Sequence, residues 1–108
     1  MIVAVYNREK HRLTVEGHAG SGEAGHDLVC SAASILVYTL AGNVMQLCED
    51  HSRVRRPHIT LEEGSAFIEC SPVHGMGAVT TLVFDSICSG FDVLAEQYPE
   101  FVSYKVLG

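Results

Sequence analysis

"RLTVEGHAGSGEAGHDLVCSAAS", residues 12–34, passes from one hydrophobic period to another. At its start Leu13 and Val15 alternate with Arg12, Thr14 and Glu16. That period of two puts the apolar pair on one face of a strand. His18 falls at the end of this strand. Residues 19–26 then carry Gly20, Gly22 and Gly25 and read as a loop. From Asp27 to about Glu49 the pattern turns helical, with Leu28, Ser31, Ile35, Tyr38 and Gly42 following one another at helical spacing. Apolar residues occupy nearly every face, so a helix buried on more than one side is expected.

Outward from this stretch the chain repeats the same vocabulary. Residues 2–7 (IVAVYN) are β-branched and aromatic, a strand pattern, and "REKH" at 8–11 reads as a turn without the preferred Asn-Gly pair. Together with residues 12–18 they form a hairpin. Residues 58–62 (HITLE) and 66–71 (AFIECS) suggest a second hairpin around "EGS". Gly75 and Gly77 flank the start of a second helix, supported by Met76, Val79, Leu82, Val83, Ser86, Ile87, Gly90 and Leu94. It ends near Tyr98, because Pro99 disfavours helical geometry in the residue before it. Residues 101–107 (FVSYKVL) read as a last strand. The order β-β-α-β-β-α-β predicts an α+β two-layer sandwich, two long helices on a mainly antiparallel sheet. With 108 residues and 47% of them apolar, one domain over 1–108 with a single core is expected.

The totals narrow the function. A net charge of -6 argues against a nucleic-acid partner, which calls for a basic stripe, and suits a basic protein partner. Arg53, Arg55 and Arg56 are the one basic cluster and read as a solvated loop beside Pro57. The longest apolar run, Leu28 to Cys48, is interrupted by Ser31, Ser34, Thr39, Gly42, Asn43 and Gln46. It is expected to be a buried or amphipathic helix rather than a membrane span. The start, MIVAVYNREK, lacks the basic region and cleavage site of a secretion signal, so a cytoplasmic home is the default. Cys30, Cys48, Cys70 and Cys88 contain no C-x-x-C pair, and a cytosolic chain keeps its thiols reduced. Three of them read as structural. Cys30 differs, because a glycine-rich loop precedes it.

With Asp27 as helix cap, Cys30 lies in the first turn, where backbone N–H groups lack helical partners. The positive end of the helix favours a thiolate. A free cysteine has a pKa near ~8.5, and a helix terminus contributes about 0.3–1 kcal/mol, less than one pKa unit. The helix alone leaves the thiol mostly protonated, and a second group is needed. His18, brought back by the glycine loop, can serve as base, and open amides nearby can hold an oxyanion. Asp27 either caps the helix or orients His18. Ser34, one turn after Cys30, shares its helical face. The plainer alternatives stay open: Cys30 as a small buried residue, His18 as a strand-end surface histidine, Ser34 as packing, and His18, His26, Asp27 and Cys30 as a mixed zinc set. No second short-spaced ligand pair supports the zinc set, so neither metal nor cofactor is called for. The glycines do not match a phosphate-binding loop.

Residues 17–34 closely resemble the ribosomal-processing cysteine proteases, the Prp family. The shared pattern is "GHA" at a strand end, then "G-E-x-G-x-D", then "V-C" and a nearby serine. It stands here as Gly17, His18, Ala19; Gly22, Glu23, Gly25, Asp27; Val29, Cys30; and Ser34. The resemblance implies a small α+β homodimer. It implies an endopeptidase that removes a short N-terminal extension from a large-subunit ribosomal protein, with Cys30 as nucleophile and His18 as base. Asp27 and Ser34 fall on supporting positions. The loop of Ala19, Gly20, Ser21, Gly22, Glu23, Ala24, Gly25 and His26 would order around the peptide, beside an apolar groove. A competing class is a ribosome-associated module that binds the same extension without cutting it.

Overall fold

The computed structural model describes residues 1–18, 26–49 and 52–108, with His26 described by its backbone alone. The elements are β1 (Ile2–Asn7), β2 (Arg12–Glu16), α1 (His26–Cys48), β3 (Val54–Glu62), β4 (Ser65–Pro72), α2 (Gly77–Gln97) and β5 (Val102–Leu107). The strands form one sheet in the order β3-β4-β2-β1-β5. The pairs β1–β2, β2–β4 and β3–β4 are antiparallel, and β5 runs parallel to β1. The expected α+β architecture and element order are therefore those of the molecule, with a mixed sheet.

Alternation decides which face of the sheet is covered. Ile2, Ala4 and Tyr6 are buried on β1, Leu13 and Val15 on β2, and Ala66, Ile68 and Cys70 on β4. The register pairs Ala4 with Val15, Leu13 with Ile68 and Val15 with Ala66, so these side chains meet on one face. On α1, Val29, Ala33, Val37, Leu40 and Val44 join this core, and on α2 Phe84, Cys88, Phe91 and Leu94 do the same. The helices also touch each other closely: a side-chain carbon on Gly90 would lie 2.5 Å from Leu36 Cδ2. The opposite sheet face is more exposed and mixes Thr14 and Glu16 with Val3. There Arg12 pairs with Glu69 at 2.5 Å and lies over the ring of Phe67.

Several boundaries move from the expected ones, each for a physical reason. β3 starts at Val54, so Arg55 and Arg56 belong to a strand and not to a loop. An edge strand tolerates them because one side of it faces water. Its register shifts between Arg55 and His58, where Arg56 takes φ 52 beside Pro57. β2 stops at Glu16, leaving His18 two residues beyond its end. The turn at residues 8–11 closes without Asn-Gly because His11 takes φ 50. Finally, the described part of α1 runs from His26 and carries Asp27 in its first turn.

The outer side of α1 is not buried. Leu28, Ile35 and Tyr38 are each more than 60% exposed, and Met45 joins them along the same stripe. On α2, Val79, Leu82 and Val93 stand out in the same way. The expectation of burial on more than one side holds for the sides facing the sheet and α2, and fails for this stripe. By length and composition alone both helices could cross a membrane, which the polar interruptions of α1 do not prevent. In this fold each instead lays a face on the core.

Candidate active site

The two ends of the quoted motif meet across a groove of about 460 Å³. One wall is the first half of α1. Cys30, Ala33, Ser34, Val37 and Tyr38 follow one another at helical spacing and line it. The other wall is the end of β2, with Val15, Gly17 and His18, and the turn between β3 and β4, with Glu62, Glu63, Gly64 and Ser65. Ile2, Leu61 and Ala66 complete the lining. The interior is apolar, as expected of a groove beside Cys30, and its turn edge carries two carboxylates.

Cys30 is half-buried and His18 exposed. Among the described residues no hydrogen bond joins them; both line the same groove, Cys30 from α1 and His18 from beyond β2. Such contacts are commonly long in unliganded sites and tighten when substrate arrives. Cys30 lies near the described start of α1, four residues after His26. Ser34 lines the groove one turn further along, whereas Asp27 does not line it. Asp27 supplies the acidic residue of the first turn, a favourable place for a negative charge.

The loop residues Ala19, Gly20, Ser21, Gly22, Glu23, Ala24 and Gly25 lie outside the described residues, as does the His26 side chain. Among the described residues no group of three or more His, Cys, Asp or Glu comes together to hold a metal. Cys70 and Cys88 are buried, and burial pushes their thiols up to about 11 and about 12. Both stand in the core, Cys70 on β4 and Cys88 on α2, and neither lines the groove.

The β3–β4 turn is the part of the site that motif reading missed. It abuts the histidine directly. Gly17 donates its N–H to the Gly64 carbonyl at 2.8 Å. Gly64 takes φ +76, and a side-chain carbon there would lie 2.7 Å from His18 Nε2. The one sequence signal was "EGS" as a turn, which says nothing about where the turn lands.

A thiol and an imidazole lining one groove, on a helix-and-sheet scaffold, are compatible with a thiol hydrolase. Comparison with known proteins makes the class specific. The chain belongs to the cysteine protease Prp family, whose profile matches residues 1–103. It is therefore a cysteine protease. The ribosomal processing cysteine protease Prp of Staphylococcus aureus is 24% identical over 95 residues, covering 86% of this chain and 85% of that protein. The crystal structure of that protease with a substrate peptide superposes with TM-score 0.70 at 24% identity, covering 97% of this chain and 96% of the other. The same enzyme with a covalently linked product peptide also gives 0.70, at 22% identity over 98% and 99% of the two chains. A Streptococcus mutans structure gives 0.66 at 26% identity, covering 98% and 91%.

Proposed function

We propose that this chain, working as one domain over residues 1–108, cleaves a short N-terminal extension from a large-subunit ribosomal protein. Cys30 is the nucleophile and His18 the general base. The observation that carries this reading is that Cys30 and His18, twelve residues apart in sequence, line the same groove. In the reaction His18 takes the thiol proton, and the Cys30 sulfur attacks the scissile carbonyl carbon. The carbon–nitrogen bond breaks as His18 returns the proton to the leaving amine. Water then enters where the amine left, and His18 takes its proton as the acyl–sulfur bond opens. The product peptide described as covalently linked in the Staphylococcus aureus protease supports such an intermediate.

The apolar lining from Ile2, Val15, Val37 and Tyr38 suits the apolar residues that family substrates carry before the cut. Ser34 borders the peptide from α1. Asp27 supports the site from the first turn of α1. The name of the Staphylococcus aureus relative supports ribosomal processing as the task, and the net charge of -6 suits a basic ribosomal substrate. The work belongs in the cytoplasm, where ribosomal proteins are made. The enzyme acts as a homodimer, formed by the apolar stripes of α1 and α2 that the single chain leaves exposed.

The test is cleavage of the host ribosomal protein carrying its extension. Cys30→Ala should abolish product, and His18→Ala should lower the rate by about 10²–10⁴-fold, both with an intact fold. Product formed by Cys30→Ala, or extension bound but never cut by the wild type, would remove the assignment.

A further inference from the structure

We infer that Gly64 is a positioning residue: the β3–β4 turn is the seat that fixes the His18 ring, and a hydrogen at residue 64 is what lets the ring lie there. This rests on the assignment of His18 as the base and extends it to a residue far along the chain.

His18 lies two residues past β2 and is exposed, so the strand alone does not determine where its ring points. An exposed histidine past the end of a strand samples several rotamers. A base, by contrast, must hold one orientation within a fraction of an ångström. The structure supplies the missing constraint from the neighbouring hairpin. Glu62 and Ser65 are register partners, so residues 63 and 64 make a tight turn between the end of β3 and the start of β4. Gly64 takes φ +76 there. The backbone N–H of Gly17 donates to the Gly64 carbonyl at 2.8 Å, which locks the turn to the residue just before the histidine. Gly17 is itself held: it takes φ +96, and a side-chain carbon on it would collide with the carbonyl of Met1.

The ring then lies against the face of Gly64 that has no side chain. A carbon placed there would approach Nε2 to 2.7 Å, Cε1 to 3.2 Å and Cδ2 to 3.5 Å. Three atoms on one edge of the ring meet the same point. The ring therefore cannot keep its place beside an alanine; it must turn away. Moving a base by about an ångström costs roughly 100-fold in rate.

Gly75 provides the control. It has φ +88, the same backbone cost for a substitution, yet nothing lies within 4 Å of its would-be side chain. It follows the far end of β4. The full chain is made as Gly64→Ala and Gly75→Ala, each alone and combined with His18→Ala. Cleavage kinetics, melting temperature and the His18 ring correlation in a ¹H–¹³C spectrum are recorded. Gly75→Ala should lose melting temperature from backbone strain alone, and Gly64→Ala should lose that much plus a further amount from displacing the ring. Gly64→Ala alone should move the His18 ring resonance and lower kcat about 100-fold with little change in KM. In the His18→Ala background the extra melting loss of Gly64→Ala should shrink to that of Gly75→Ala, because the ring it displaced is gone.

An unmoved His18 resonance in Gly64→Ala would overturn the inference, as would an equal loss of kcat in Gly75→Ala. If Gly64→Ala is too unstable for kinetics, the melting comparison in the His18→Ala background decides. Equal extra losses with and without the ring reject the seat, and a smaller loss without it supports it. A wild type that cleaves nothing would instead remove the catalytic assignment, and the resonance and melting comparisons would still decide whether Gly64 seats the ring.

Discussion

Tyr6 on β1 donates its hydroxyl to Asp85 Oδ1 on α2 at 2.8 Å. The same carboxylate receives Arg8 Nε and Nη2 at 2.9 and 2.8 Å, so one aspartate gathers a strand, a turn and a helix. Tyr6 is buried to 1% exposure and stacks near Phe84. Burial, then the bond to Asp85, pushes its hydroxyl well above the ordinary tyrosine range, so it stays a donor. Tyr6→Phe removes one hydrogen bond and leaves a partly exposed carboxylate that Arg8 and water still satisfy. The expected loss is about 1 kcal/mol, measured by urea unfolding, with cleavage unchanged. A loss of activity larger than the loss of stability would show that this knot reaches the groove.

Acid should destabilise the fold in two stages. His11 is buried and bonded to Thr81 at 2.9 Å, and burial holds its imidazole below the ordinary value of 6.5. A lowered folded value means that the unfolded chain binds the proton more readily, so this contribution is lost as pH falls below about 6.5. Asp85 is held below its ordinary 3.8, first by the Arg8 hydrogen bonds. Its contribution is present above that value and is lost as pH falls through the folded one. Unfolding curves from pH 8 to 3 should show both losses. Replacing His11 with Asn, which tolerates its φ of 50, should remove the first and keep the second.

The four cysteines should separate by reactivity. Burial raises Cys70 to about 11 and Cys88 to about 12, so on the order of one in a thousand or fewer is ionised at neutral pH. Cys30 faces the groove. Iodoacetamide at pH 7.5, followed by peptide mass spectrometry, should label Cys30 well before Cys70 and Cys88. Labelling of Cys88 at the Cys30 rate would mean that α2 opens readily.

Two helix glycines should respond oppositely to alanine. Gly42 is exposed on α1 with open space around it, so Gly42→Ala should stabilise the fold by about 0.8–1 kcal/mol, the helix-propensity difference. Gly90 faces Leu36, with Cδ2 at 2.5 Å and Cδ1 at 2.9 Å from an added carbon. Displacing that side chain costs about 1–3 kcal/mol and outweighs the propensity gain. Thermal melts of the two variants check the ordering.

The dimer is tested on the exposed stripes. Ile35→Glu and Leu82→Glu should yield monomers by sedimentation velocity, since a carboxylate buried in an apolar contact has no partner. A wild type that stays monomeric at tens of micromolar protein would reject the dimer.

Strand alternation made most of the sheet legible. Leu13 and Val15, or Ala66, Ile68 and Cys70, declare their inner face by period alone. The start of β3 was hidden because "RVRRP" has loop composition; only its place at the sheet edge lets charge and proline sit in a strand. The motif brought Cys30, His18 and Ser34 to attention, and all three line one groove. Gly64, Glu62 and Tyr38 carried no such mark. They reach the groove through strand register and helix phase, which a local pattern does not encode. The exposed stripe of α1 was hidden for a related reason: an all-round apolar helix reads the same whether its own chain or another covers it.

The kink at Arg56 and Pro57 bears on how the molecule keeps to itself. β3 is an outer strand of the sheet, and an outer strand is an open invitation to another chain's backbone. Here the left-handed Arg56 and the missing amide hydrogen of Pro57 break the strand near its start, and Arg53, Arg55 and Arg56 add like-charge repulsion between copies. Fibrous growth by strand stacking along that border is thereby discouraged at its first step.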